Sequence, residues 1–154
     1  MQIVADGQEA QARVTTFRAH LEQLGCTATR NVQIDTRFGE GDADQATELV
    51  ALAPDVILAN STPALASLVQ LTRTVSVVFV TVADPVGAGF VDSLARPGGN
   101  ATGFTSCDYS IGAKWFELLK EIAPNVKRIG VLRDPTLTLG TAQYAVIQSM
   151  APTV

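Results

Sequence analysis

Two apolar runs separated by one helical pattern constrain this chain more than any other feature. Val56-Ile57-Leu58-Ala59 and the valine-rich stretch from Val75 to Val82 lack the polar alternation of a half-exposed strand. Strands read this way when helices cover both faces of a parallel sheet. Between them, Thr62-Pro63 supplies a hydroxyl cap and a proline at the first helical position, and Leu65, Leu68, Val69 and Thr72 continue the helix. A strand, a helix and a second strand make a βαβ unit with a right-handed crossover. The predicted fold class is therefore α/β, a doubly wound parallel sheet.

The flanking sequence extends the alternation. Gln8 to Leu24 predicts a helix, with Ala10, Val14, Phe17, Leu21 and Leu24 on one stripe and Gly25 as its C-terminal cap. Val32 and Ile34 predict a short edge strand. Asp42 caps a second helix that buries Ala46, Leu49, Val50 and Ala53 and ends at Pro54. Asp84-Pro85 repeats the cap-and-proline arrangement and predicts a short helix to Leu94. Pro97-Gly98-Gly99-Asn100 is a turn, and Ala101 to Thr105 a fifth strand. The pattern then restarts. Ile111, Trp115, Leu118 and Ile122 form a helical stripe with Trp115 in the core, Val126 to Leu132 is a strand, and Leu139 to Met150 a last helix. The strand expected to open such a sheet is short, Met1 to Ala5.

Composition narrows the partners. Among 154 residues 47% are apolar and 17% charged, an ordinary globular balance, and the net charge is −4 with no Lys/Arg cluster. The electrostatic footprint of a nucleic-acid binder is missing. Cys26 and Cys107 form no C-x-x-C pair, and one histidine, His20, does not complete a zinc set with them, so no metal or cofactor is expected. Whether the two cysteines pair depends on a distance that sequence does not supply. No apolar stretch reaches the roughly 18 residues of a membrane span. Met1 to Ala10 lacks the basic start and apolar centre of a signal peptide, so the chain as written is expected to stay where it is made.

In open α/β sheets ligands bind beyond the carboxyl ends of the strands. Three segments meet that condition. Asn60-Ser61-Thr62-Pro63 brings an amide, two hydroxyls and a helix N-terminus together, a setting that favours a carboxylate. Asp84 follows a buried strand and is placed to pair with an ammonium, or to cap the helix after it. Asn100, Thr102 and Thr105 flank a strand beside Phe104. Together they predict recognition of a small amino-acid-like solute, with Phe104 or Tyr109 available for stacking on an aromatic one. Gly39-Glu40-Gly41 is not a dinucleotide fingerprint, and neither a phosphate-binding G-x-x-x-x-G-K-[S/T] loop nor a G-x-S-x-G nucleophile elbow occurs. His20 lies beside the apolar stripe of the first helix, and no catalytic role is expected of it.

Four stretches carry a family resemblance: Ala53-Pro-Asp-Val-Ile-Leu-Ala-Asn-Ser-Thr-Pro-Ala64, Val78 to Val91 with Ala83-Asp84-Pro85 at its centre, Leu94-Ala-Arg-Pro-Gly-Gly-Asn-Ala-Thr-Gly103, and Lys114 to Pro124. In order and spacing they resemble the ABC-transporter substrate-binding proteins of the tryptophan/aromatic amino-acid-binding type. The resemblance runs over nearly the whole chain. It implies a type I periplasmic-binding-protein fold, two lobes closing over a solute, a non-enzymatic role, an ABC permease as partner and a periplasmic location. It implies an N-terminal lobe over 1–105 and the start of a second lobe over 106–154. Solute contacts are implied for Asn60, Ser61 and Thr62, for Asp84 and for the segment holding Asn100, Thr102 and Thr105. Against the family pattern, the chain begins after most of the first strand and reaches Val154 where the second lobe has only begun. A homodimer, or exchange of elements between two copies, would cover the apolar edges this leaves.

Two rival functions compete with solute binding. A truncated lobe that only dimerises predicts that no small solute changes its stability. A cofactor-independent amino-acid racemase is echoed by Gly25-Cys26-Thr27, but its second cysteine loop needs Cys where Asn60 stands, and Cys26 follows a helix at the wrong end of the sheet.

Overall fold

Among the described residues five strands lie in one sheet in the order β2-β1-β3-β4-β5. They are β1 (Gln2–Val4), β2 (Thr36–Phe38), β3 (Val56–Asn60), β4 (Ser76–Ala83) and β5 (Ala101–Cys107). The helices are α1 (Gln8–Gln23), α2 (Ala43–Ala51), α3 (Thr62–Leu71), α4 (Ile111–Ile122) and α5 (Thr138–Met150). This computed structural model describes residues 2–4, 8–28, 30–39, 42–107, 110–133 and 138–150. The chain divides into two compact units, Met1–Thr105 and Ser106–Val154.

In the first unit β1 pairs in parallel with β2 and β3, and β3 with β4. The Val77 N–H donates to the Asn100 carbonyl and the Thr105 hydroxyl to the Val82 carbonyl. Residue numbers rise together along that seam, so β5 is parallel to β4. Short β1 lies inside the sheet, between β2 and β3. The direction of winding reverses between β1 and β3, which makes their carboxyl ends the topological switch point.

The core explains the apolar runs. Ile57 and Ala59 of β3 and Val77 and Phe79 of β4 point to one face and are essentially fully buried under Leu49 of α2 and Leu65 and Leu68 of α3. Burying a side chain of this size contributes about 1.5–3 kcal/mol. The intervening Leu58, Val78 and Val80 point to the other face and are only half-buried. Ala10 and Val14 of α1, with Phe38, form a smaller second cluster. At Gly103 the backbone of β5 presses on that of β4, and a Cβ there would run into the Phe79 main chain.

Several expectations shift. Helix α3 is capped by Ser61, whose hydroxyl accepts the Ala64 N–H at 3.4 Å, so Pro63 is the second helical residue and Thr62 the first. Asp42 caps α2 as read, accepting the Asp44 N–H at 2.9 Å. Ala53, expected on the inner face of α2, instead sits past its end at φ 46° and is exposed. The edge strand is 36–38, not the region of Val32 and Ile34. No helix follows Asp84: residues 85–89 form turns, because Gly87 and Gly89 (φ 73°) interrupt too short a segment for helix nucleation. Leu24 is exposed beyond the end of α1, where Gly25 adopts φ 86°.

In the second unit α4 and α5 meet closely at Gly112, where a Cβ would lie 2.9 Å from the Gln143 carbonyl oxygen. Phe116 is buried there, and Trp115, expected in the core, is 52% exposed. Residues 126–132 form no strand, because a strand needs a bonded neighbour and the described residues of this unit offer none.

Candidate functional site

The carboxyl ends of β3 and β4 bring Asn60, Ser61, Thr62 and Asp84 together. Asn60 is the last residue of β3, at the switch point, and is only 6% exposed. No described residue hydrogen-bonds its side-chain amide, and the amide is not among the described side-chain atoms sealed from solvent without a partner, so it opens onto solvent. The residue lines an open furrow of about 470 Å³ on the α1 face of the sheet. Leu58, Val78 and Val80 floor the furrow, Phe17 and Phe104 stand at its sides, and Arg13 and Thr81 contribute polar groups. Phe104 is 74% exposed.

The two loops are bonded to each other. The Thr62 Oγ1 accepts the Ala83 N–H at 3.1 Å, and the Ser61 N–H donates to the Val80 carbonyl at 3.2 Å. Past β4, buried Asp84 turns its carboxylate onto the following turn, where Oδ1 accepts the Gly87 N–H at 3.0 Å. A Cβ at Gly87 would meet the Asp84 carboxylate, which would have to turn aside. Three non-glycine residues here have left-handed backbones: Ser61 at φ 123°, Thr81 at 58° and Asp84 at 41°. Such conformations cost of order 1–3 kcal/mol each and persist where the surroundings hold them, commonly at ligand sites.

The segment around β5 splits. Thr105 joins the cluster, its hydroxyl donating to the Val82 carbonyl at 2.9 Å. Asn100 does not. It precedes β5 at the amino end of the sheet, and its amide donates to the Thr72 and Val75 carbonyls at 3.3 and 2.7 Å. Its neighbour Val77 is six residues before the end of β4, about 20 Å at the rise of a strand. Thr102 is exposed near that same amino end. Parallel pairing with β4 separates residues that lie close in sequence. Tyr109 falls outside the described residues. Cys26 is free and half-buried.

Sequence reading missed Thr81, Arg13, Phe17 and Gly87. Gly87 had a signal, three residues after an aspartate that can accept its N–H. Thr81 had none, because nothing in a valine-rich strand announces a left-handed residue.

A parallel sheet with its polar groups gathered at the carboxyl ends beside the switch point is the architecture of a solute-binding α/β lobe. The chain belongs to the ABC transporter substrate-binding protein family, whose model matches residues 1–153. It is 35% identical over 120 residues to a tyrosine-binding protein of Clostridioides difficile, covering 75% of this chain and 34% of that protein. Among solved structures it is similar to a Streptococcus pneumoniae ABC domain in complex with L-Trp (26% identity, TM-score 0.73, covering 99% of this chain and 52% of that one). It is also similar to a conserved domain protein of Vibrio cholerae (30% identity, TM-score 0.72, covering 99% and 51%). A ligand-free, open substrate-binding protein with adhesive properties from Clostridium difficile is a third (28% identity, TM-score 0.69, covering 99% and 52%). The chain thus spans about half the length of these solved relatives and about a third of the curated one.

Proposed function

We propose that this chain recognises an aromatic amino acid as the solute-binding component of an ABC uptake transporter. The observation that carries the reading is Asn60: an amide nearly buried at the switch point, with no described partner, in a family whose members include a tyrosine-binding protein and a domain complexed with L-Trp. A charged ligand group can pair with that amide in place of solvent, a hydrogen bond worth about 1.5–3 kcal/mol.

The amino-acid carboxylate is received by Asn60, Ser61 and the main chain of Thr62 at the N-terminus of α3, where the helix dipole favours negative charge. Asp84 offers its second carboxylate oxygen to the ammonium, the first being held by Gly87. Thr105 borders the same edge. Asn100 and Thr102 are left out of this site because they lie at the amino end. The chain acts by binding, outside the cytoplasm, and hands its solute to a permease. No helix among the described residues is long and apolar enough to cross a membrane.

Calorimetric titration with L-tyrosine, L-tryptophan and L-alanine tests the proposal. Saturable binding of an aromatic amino acid is the expected result, and Asn60→Ala should weaken it about 10- to 100-fold, the worth of a hydrogen bond to a charged group. Equal affinity in the Asn60→Ala chain would remove that residue from the site.

A further inference from the structure

We propose that Thr62 is a positioning residue whose hydroxyl clamps the loop after β4 to the loop after β3, giving the site its geometry before ligand arrives. The role of the clamp in affinity rests on the functional reading above; the clamp itself does not.

The bond joins residues 21 apart in sequence, Thr62 Oγ1 accepting the Ala83 N–H at 3.1 Å. Ala83 ends β4, and the next residue, Asp84, adopts φ 41°. Two residues earlier Thr81 adopts φ 58°. The end of β4 therefore leaves regular strand geometry twice within four residues, and neighbouring groups hold it on both sides. From the β3 loop come the Ser61 N–H on the Val80 carbonyl and the Thr62 hydroxyl on the Ala83 N–H. From β5 comes the Thr105 hydroxyl on the Val82 carbonyl. Beyond Ala83, the carboxylate of Asp84 is fixed by the Gly87 N–H.

Of the two bonds from the β3 loop, only the Thr62 bond uses a side chain. It can be deleted by a substitution of nearly equal shape, leaving the main chain intact. Deletion strands the Ala83 N–H and frees the segment that aims Asp84. A strained segment with one restraint fewer relaxes toward ordinary backbone angles, and the Asp84 carboxylate moves with it. The two loops hold opposite ends of the solute, so their separation sets how well both ends engage together.

The test compares Thr62→Val, which removes the hydroxyl, with Thr62→Ser, which keeps it, and with Asn60→Ala, which removes a ligand contact and leaves the clamp. In the ligand-free chain, Thr62→Val should raise hydrogen exchange of the Ala83 amide about tenfold, with a smaller rise across residues 84–89, while Thr62→Ser and Asn60→Ala stay near wild type. In titrations with L-tyrosine and L-tryptophan, Thr62→Val should weaken binding about tenfold, and Thr62→Ser should restore it. Unchanged Ala83 exchange in Thr62→Val overturns the clamp, whatever happens to affinity. Raised exchange with unchanged affinity overturns its role in binding. A wild-type chain that takes up neither amino acid overturns the functional reading, and the exchange comparison then decides the clamp by itself.

Discussion

At the residue scale, a strained alanine and a crowded glycine make opposite predictions. Ala53 holds φ 46° just past α2, with its N–H donating to the Val50 carbonyl and no part in the site. A glycine tolerates that conformation, and Ala53→Gly should stabilise the chain by about 1 kcal/mol, the difference between the left-handed penalty and the extra entropy glycine loses. For a domain of this size that raises the melting temperature by about 2–4 °C. At Gly103 the reverse holds. The opposing atoms are main chain of β4 and cannot turn aside, so Gly103→Ala should destabilise by about 1–3 kcal/mol in a denaturant titration.

At the element scale, α2 and α3 show how much of a helix its ends decide. Asp42 accepts the Asp44 N–H at 2.9 Å, and Asp42→Ala should cost about 1 kcal/mol, read by chemical denaturation. The cap of α3 was misplaced by one residue in the sequence reading, although Ser61 and Thr62 are both competent caps. The tertiary structure chose between them: Thr62 is committed to Ala83, 21 residues on, and Ser61 takes the helix N–H. The turn after Asp84 is a similar case. Aspartate and proline signal a helix start, but Gly87 fits beneath the carboxylate and closes a turn instead.

At the scale of the whole molecule, the site depends on parallel strands delivering their ends to one edge. The first unit contains the large buried cluster running from Ala46 to Ala101, so its integrity governs the candidate site. Leu65→Ala at its centre should cost about 2–5 kcal/mol and abolish binding together with the cooperative unfolding transition of that unit. Saturation with a cognate amino acid at 100 times its dissociation constant should stabilise the chain by about 2.7 kcal/mol, a rise of about 5–10 °C followed by calorimetry.

Periodicity and punctuation were enough to determine the order and type of most elements. Apolar runs, caps and glycine stops act within a few residues of themselves, so one chain read alone carries them. The loops that gather at the carboxyl edge were legible for the same reason, since strand ends in a parallel sheet fall together. Pairing across the sheet decided the rest. It sent Asn100 to the amino end, spent on two carbonyls, and kept Thr105 at the carboxyl end, although five residues separate them. It also bent Thr81 and Asp84 into left-handed backbones that no local preference would select. Such conformations are held by bonds from segments distant in sequence, and only the folded chain brings those segments together.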